Sequence, residues 1–253
     1  INKQFLKRVY KRRKSQSHKG DFGKLLIIGG NQKYSGAPIL NSLGAISSLR
    51  SGVDLVEVVT IKRVADIIAS YSPDLITLPL RGKFLNNKHL KKILNETKNK
   101  TGFVLGGGIG RKKKTFSFIR NFIKKTQLKG VIDADAIHAF NTKKEKINLK
   151  NFVLTPHLGE FFVLTGKKPK NNLKDKIKTV KEQAKRLNTT ILLKGNIDII
   201  SNGERTALNN TGTKYMTVGG TGDVLAGVTG SLIAQGNSLF DSACAASYIC
   251  GKA

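Results

Sequence analysis

The sequence has no tryptophan, one methionine, two cysteines and five prolines among its 253 residues. Cys244 and Cys250 are too few for a disulfide framework, and they lie in an apolar segment without the company of a metal site. We therefore interpret them as buried thiols in a reducing cytoplasm. No run approaches the roughly 20 unbroken apolar residues of a membrane-spanning helix, and no signal peptide is visible. The sequence thus predicts a cytoplasmic protein without a membrane segment.

Acidic residues are scarce: 16 Asp and Glu oppose 45 Lys and Arg, which gives a net charge of +29. Such a surplus attracts polyanions, including nucleic acids. The cations are mostly lysines spread along the chain, with local runs at residues 11–14 and 111–114, and aromatic side chains are not interleaved with them to form a stacking platform. We therefore favour a solvated basic surface that attracts anionic small molecules, and we keep a nucleic-acid-binding protein as an alternative.

The length suits one large α/β domain or two small ones, and no convincing domain boundary is visible. Residues 1–17 form a basic arm, which we interpret as a linker or a peripheral helix, and residues 18–253 are expected to form a single domain. Because Met216 is the only methionine, we expect the chain to be a processed product or a piece of a longer polypeptide.

Short apolar runs alternate with helical patterns along the chain. The runs lie at residues 25–28, 55–59, 102–105, 130–132, 152–154 and 191–193. Continuous apolar runs are typical of parallel strands buried on both faces, so we predict an α/β fold with a mostly parallel sheet and helices on both faces. Glycine and polar residues follow the runs repeatedly, where the carboxyl ends of such strands bind ligands. Helices are expected over residues 37–51, after residue 172 and from Val224.

Residues 217–227 contain the densest glycine turn, immediately before the last of these helices. Gly219, Gly220 and Gly222 allow a ligand to approach the main chain closely. Exposed N–H groups at a helix start favour an anion such as phosphate. Asp223 would repel that anion, so we interpret it as a group that takes or steers a proton. The alternative is a glycine turn in which Asp223 only caps the helix.

Three acidic residues follow other strands. Asp133 and Asp135 are candidates for Mg²⁺ binding through water, although alternation along an extended segment would turn them to opposite sides, or one of them caps the next helix. Glu160 follows the Thr155-Pro156-His157 turn, where it caps the helix or reaches a metal through water. His157 is a candidate ligand contact in the same turn.

Residues 106–110 read Gly-Gly-Gly-Ile-Gly, without the spacing of a dinucleotide fingerprint, and no Walker sequence occurs. They indicate either a close backbone approach to a ligand or a tight strand-to-helix turn. Lys194 follows a buried strand and can reach a nucleotide phosphate, with residues 195–198 beside the ribose or base. Residues 209–212 are expected to contribute to the same pocket.

Taken in order, these motifs resemble those of the ADP-dependent NAD(P)H-hydrate dehydratases, a branch of the ribokinase-like superfamily. The matching segments are His18-Lys-Gly-Asp-Phe-Gly23, Gly29-Gly30, Tyr34-Ser-Gly-Ala-Pro38, Lys194-Gly195 and residues 106–110, 131–136, 154–160 and 219–227. They cover nearly the whole chain from residue 18. The resemblance implies a ribokinase-like three-layer sandwich. It also implies an enzyme that phosphorylates the ring hydroxyl of hydrated NADH or NADPH with ADP or ATP and Mg²⁺, and then eliminates phosphate.

The resemblance also implies roles for individual residues. The hydrated dinucleotide would contact Ala37, Gly110, His157 and Asp223. The adenine nucleotide would contact Lys194, Gly195, Asn196, Ile197, Asp198 and Gly222. Asp223 would be the base that activates the hydroxyl, and the N–H groups of Thr221, Gly222 and Asp223 would stabilise the transferring phosphoryl group.

The chain departs from the family pattern in places. Gly106-Gly107-Gly108 stands where the family usually has Gly-Pro-Gly, and the family normally continues beyond residue 253 with another helix, so we expect a chain trimmed at its C-terminus. The family tends to form homo-oligomers, and its domain often follows an epimerase domain for the same damaged cofactor. A ribokinase-like vitamin or small-molecule kinase is the enzymatic alternative.

Overall fold

The computed structural model describes residues 1–10, 13, 15–46, 52–140 and 147–253. Lys11, Arg12 and Lys14 of the first basic run and residues 47–51 of the predicted helix lie outside these ranges. The strands are β1 (Lys24–Ile28), β2 (Leu55–Ile61), β3 (Ile76–Leu80), β4 (Gly102–Leu105), β5 (Gly130–Ile132), β6 (Phe152–Leu154), β7 (Thr190–Leu193), β8 (Asp198–Ser201) and β9 (Thr206–Asn209). The helices are α1 (Lys3–Val9), α2 (Gly36–Ile46), α3 (Lys62–Tyr71), α4 (Leu90–Thr97), α5 (Lys113–Lys125), α6 (Leu158–Thr165), α7 (Leu173–Leu187), α8 (Thr221–Ala234) and α9 (Leu239–Lys252).

All nine strands form one sheet in the order β3-β2-β1-β4-β5-β6-β7-β8-β9. Strands β1 to β7 are parallel, and β8 and β9 add an antiparallel hairpin beside β7. Leu25 to Ile28 of β1 are completely buried, as expected of a central strand covered on both faces. The predicted α/β fold with a mostly parallel sheet is confirmed.

The edge strand β3 was not predicted. Its sequence, Ile-Thr-Leu-Pro-Leu, includes Pro79, and Ile76 is 48% exposed. Proline is tolerated at a sheet edge because one side of the strand needs no hydrogen-bond donor. The strand therefore lacks the continuous apolar pattern of its neighbours.

Helices α2 and α8 pack backbone to backbone. A Cβ atom at Gly44 would overlap the carbonyl oxygen of Val224, and one at Gly227 would overlap that of Asn41. Glycine at both positions lets the two helices approach so closely. α8 begins at Thr221, three residues before the helical pattern predicted from sequence, because the glycine turn itself supplies its first turn.

The first helix packs against α9 and buries Val9, while Phe5 and Leu6 lie against the core. A boundary between an arm and a domain at residue 17 remains a prediction. Among the described residues, no helix combines the length and apolar character that a membrane crossing requires.

Candidate active site

The predicted site residues lie along the carboxyl edge of the parallel strands. The turns that follow β1, β4, β5, β6 and β7 meet there with the start of α8. In parallel sheets this edge is where ligands bind. The site is described below from α8 outward.

The start of α8 offers unpaired N–H groups. Gly220 precedes the helix with a φ of +102°, and a Cβ atom there would lie 2.6 Å from Cδ1 of Leu40. The hydroxyl of Thr221 donates to the carbonyl groups of Met216 and Val218 at 3.0 and 3.1 Å, which fixes the turn. Since the first N–H groups of a helix have no intrahelical acceptor, this turn can bind an anion.

Asp223 lies in the first turn of α8 and is half-buried. Burial raises the pKa of its carboxyl to about 7; the negative charge of Asp133 adds to the effect, and Lys194 opposes it. A carboxylate with a pKa near neutrality can take and return a proton at physiological pH. Asp223 therefore has the properties of a general base.

The second glycine turn lies against Asp223. A Cβ atom at Gly107 would be 3.0 Å from Oδ1 of Asp223 and would overlap Oδ1 of Asn41. Asn41 is completely buried, and its Nδ2 donates to the carbonyl oxygen of Asp223 at 2.9 Å. Its Oδ1 has no hydrogen-bond partner. Ala37 adjoins the same turn, since a Cβ atom at Gly108 would be 3.3 Å from the Ala37 methyl group.

Lys194 is held between two acidic residues. Its ammonium group contacts Oδ1 of Asp133 at 2.9 Å and Oε2 of Glu160 at 3.9 Å. The hydroxyl of Thr155 also donates to Oδ1 of Asp133, at 2.6 Å. Burial lowers the pKa of Lys194, but the two carboxylates outweigh that effect and leave it raised. A Cβ atom at Gly222 would lie 3.2 Å from Nζ, so this permanent cation stands beside the start of α8.

His157 and Glu160 form a capping box at the start of α6. Nδ1 of His157 accepts from the N–H groups of Gly159 and Glu160 at 3.0 and 3.2 Å, and Glu160 accepts from the N–H of His157 at 2.9 Å. The His157 side chain is 60% exposed. Nδ1 thus caps the helix, while Nε2, on the exposed side of the ring, lies 3.5 Å from Oε1 of Glu160.

The acidic candidates for metal binding have separate partners. Asp135 accepts from the N–H of Gly110 at 3.1 Å and pairs with Arg111 at 2.6 Å, whereas Asp133 binds Lys194 and Thr155. Within the described ranges, no three His, Cys, Asp or Glu side chains are grouped closely enough to hold a metal ion.

A cleft of about 770 Å³ opens beside α8. It is lined by His157, Lys194, Gly195, Asn196, Asp198, Asn209, Gly212, Thr221, Gly222, Ser247 and Cys250, and by most of residues 213–218. Asp198 accepts from the N–H of Gly195 at 3.0 Å and from the hydroxyl of Ser247 at 2.7 Å. Burial raises the pKa of the Cys250 thiol to about 12, so it stays protonated.

The structure places the predicted residues in two adjoining groups. The first group lies at the second glycine turn: Gly110 belongs to the turn, and Ala37 and Asp223 adjoin it. The second group consists of the residues assigned to the nucleotide. They line the cleft, except for Ile197, which lines a smaller recess beside it. His157 lines the cleft as well. Sequence reasoning missed Asn41, Ser247 and residues 213–216. Asn41 and Ser247 lie in helices with no motif around them, so no sequence signal marked them.

The chain matches the family model for NAD(P)H-hydrate dehydratase over residues 25–253. The chain belongs to this family. The ADP-dependent (S)-NAD(P)H-hydrate dehydratase of Nitrosopumilus maritimus is 38% identical over 251 residues, which cover 98% of this chain and 85% of that protein. The bifunctional NAD(P)H-hydrate repair enzyme Nnr of Pyrobaculum aerophilum is 39% identical over 243 residues, or 95% of this chain. The chain spans about half the length of that bifunctional relative, 47%.

Solved structures agree with the predicted ribokinase-like fold. A ribokinase-like superfamily protein from Enterococcus faecalis superposes with a TM-score of 0.86 at 24% identity, covering 99% of this chain and 85% of that one. The ADP/ATP-dependent NAD(P)H-hydrate dehydratase of Bacillus subtilis, co-crystallised with ATP and Mg²⁺, superposes with a TM-score of 0.77 at 28% identity, covering 95% and 82%. The family and fold inferred from the motifs are confirmed.

Proposed function

We propose that this chain of the NAD(P)H-hydrate dehydratase family restores hydrated NADH and NADPH to the intact cofactors at the expense of ADP or ATP. The observation that carries the proposal is the position of Asp223. Its carboxyl, with a pKa near 7, adjoins both the turn near Ala37 and Gly110 and the anion-binding start of α8. One group thus faces an acceptor and a phosphoryl donor.

In the proposed reaction, Asp223 takes the proton of the ring hydroxyl. The hydroxyl oxygen then forms a bond to the terminal phosphorus of the nucleotide, and the bond from that phosphorus to the leaving nucleotide breaks. The N–H groups of Thr221, Gly222 and Asp223 stabilise the charge on the transferring group. Phosphate subsequently leaves the ring carbon, the neighbouring carbon loses a proton, and the ring double bond forms.

Lys194 and the cleft hold the nucleotide in this proposal. The ammonium group beside Gly222 is placed to contact its phosphates, while Gly195, Asn196, Ile197 and Asp198 flank the ribose and base. Bound with the nucleotide, Mg²⁺ would supply neutralisation of the phosphate charge. Asp133, Asp135 and Glu160 already accept protein hydrogen bonds or ion pairs, so they fit Mg²⁺ binding through water.

We also propose that the chain forms a homo-oligomer through α6. Leu158, Phe162 and Val163 are 46, 50 and 42% exposed, and Leu173 at the start of α7 is 39% exposed. α6 has no lysine or arginine, unlike most of this basic chain. A second copy can cover such a face without bringing cations together. Sedimentation of the wild-type chain and of a Phe162→Lys variant tests this proposal. A monomeric wild type would contradict it. An epimerase partner, fused or separate, and a cytoplasmic location remain predictions.

The direct test supplies hydrated NADH or NADPH with Mg²⁺ and either ADP or ATP, and follows near-ultraviolet absorbance together with released phosphate. We expect absorbance and phosphate to rise together. A vitamin-type kinase would instead release a phosphorylated product and no free phosphate. No recovery with either nucleotide contradicts the proposal.

The Asp223→Asn variant should abolish turnover and leave nucleotide affinity within about twofold, since the lost charge acts on the hydroxyl proton. Asp66→Asn is the matched control, because Asp66 makes an exposed pair with Lys62 on α3. Full activity of Asp223→Asn would remove its role as the base.

A further inference from the structure

A second recess lies at the same edge of the sheet, beyond the end of β3. It has a volume of about 690 Å³, and its lining includes Arg81, Lys83, Lys88 and Lys114. No Asp or Glu is among the residues that line it. We call it the basic recess.

The cations of the basic recess are unpaired. In the part of the chain that the structure describes, none of the four makes a salt bridge with an acidic residue. Their neighbours differ: Arg111 is paired with Asp135 at 2.6 Å, and the Lys112 ammonium lies 4.4 Å from the centre of the Phe84 ring. The recess thus holds four cations whose charge no acidic side chain neutralises.

The backbone of the recess is fixed by neutral groups. His89 bonds the carbonyl oxygen of Arg81 through Nε2 at 2.9 Å and accepts the N–H of Asn86 through Nδ1 at 3.1 Å. Asn87 donates to Ser117 of α5 at 2.9 Å. The turn is therefore preformed, which lowers the entropic cost of binding an anion there.

One short segment separates the basic recess from the turn assigned to the hydrated dinucleotide. The N–H of Gln32 donates to the carbonyl oxygen of Lys83 at 2.9 Å, and Asn31 Nδ2 donates to that of Gly108 at 3.0 Å. Strands β3 and β4 are three positions apart in the sheet, which places their ends about 14 Å apart. An extended dinucleotide with its reacting ring beside Gly110 can therefore direct its other end toward the recess.

We propose that the basic recess binds the ribose phosphate monoester that distinguishes hydrated NADPH from hydrated NADH. A phosphate monoester carries a charge of about −1.5 to −2 at pH 7, which several unpaired cations match. The inference rests on the proposed function, because it takes the dinucleotide as the ligand. It makes the phosphorylated dinucleotide the preferred substrate.

The test compares the double variant Lys83→Gln/Lys114→Gln with the wild type. All four side chains of this variant and its control are exposed, so folding is unaffected. Titration calorimetry with the products NADPH and NADH gives the affinities, and KM is measured for both hydrates. We expect NADPH affinity to fall by about tenfold or more and NADH affinity to change by less than about twofold.

Lys124→Gln/Lys125→Gln is the control, since it removes the same charge about 15 Å away at the other end of α5. An equal loss in the control would show a long-range field, and an equal loss for NADH and NADPH would place the shared pyrophosphate in the recess. Either result overturns the inference, as does a wild type that binds both products equally. A wild type that binds NADPH more tightly than NADH but does not convert either hydrate would overturn only the proposed function.

Discussion

Replacing Gly107 by alanine should separate the stability of this chain from its activity. The new methyl group would overlap Oδ1 of Asn41 and would lie 3.0 Å from Oδ1 of Asp223. Asn41 is 0% exposed and bonded to the main chain of Asp223, so it has no solvent-filled space to move into.

The structure sets the expected magnitudes. Overpacking of this kind costs about 1–3 kcal/mol, so Gly107→Ala should lower the free energy of unfolding by about 2 kcal/mol. Asn41→Ala loses a hydrogen bond, about 1 kcal/mol, and leaves space, but it also removes a buried acceptor that has no partner. In the double variant the methyl group at 107 occupies that space. We therefore expect a favourable coupling energy of about 1–2 kcal/mol.

In the double variant Asn41→Ala/Gly107→Ala, turnover should not recover together with stability. The methyl group at position 107 still presses on the Asp223 carboxylate when Asn41 is absent, so turnover should stay about tenfold or more below wild type in the double variant. The double variant also lacks the hydrogen bond from Nδ2 of Asn41 to the carbonyl oxygen of Asp223. Stability is thus recovered while kcat is not.

Urea unfolding of the four proteins measures the coupling, and cofactor recovery from hydrated NADH measures turnover. Gly36→Ala is the control for glycine replacement, because a Cβ atom at Gly36 has no neighbour within 4 Å. Additive unfolding energies would refute the proposed overlap between residues 41 and 107. A double variant with wild-type turnover would refute the contact with Asp223.

Three further predictions concern charged and capping groups. Because burial raises the pKa of Asp223 to about 7 and a base must be unprotonated, kcat/KM should fall tenfold per pH unit below about pH 7; a flat profile between pH 5.5 and 8 would contradict this. Lys194→Gln should cost about 3 kcal/mol of unfolding free energy by leaving Asp133 buried without its cation, and adding Asp133→Asn should restore most of it; denaturant unfolding measures both. His157→Ala should cost about 1 kcal/mol and weaken dinucleotide binding, whereas His157→Asn should keep the helix cap and lose only the binding. Calorimetry that finds normal affinity in both variants would leave His157 as a cap alone.

Much of the fold follows from local patterns. Strands β1, β4, β5, β6 and β7 are continuous apolar runs, and burial on both faces makes that pattern unambiguous. The edge strands β3 and β9 escaped prediction because they are short and partly exposed, so that neither a continuous apolar run nor a clear alternation is visible. β8 lies between β7 and β9 and is largely buried, but its four residues, Asp-Ile-Ile-Ser, are too short a run to indicate a strand.

The candidate site also contains some residues that could be predicted from the sequence and others that could not. Glycine turns, Asp223 and Lys194 could be predicted because strand ends and helix starts have recognisable residue types. Asn41 could not be predicted, since an asparagine within a helix is usually a surface residue. Only the structure shows that Asn41 is buried and that it packs against Gly107. Ser247 reaches Asp198 across 49 positions of sequence, a distance at which spacing carries no information.

The close packing of α2 on α8 has a consequence for motion. α2 carries Ala37 near its start, and α8 carries Asp223 and the anion-binding turn. With backbone atoms in contact at Gly44 and Gly227, the two helices cannot slide or hinge without breaking their core. In the proposed reaction, the residues of the acceptor and donor sides would therefore be held in fixed register by one closely packed pair of helices.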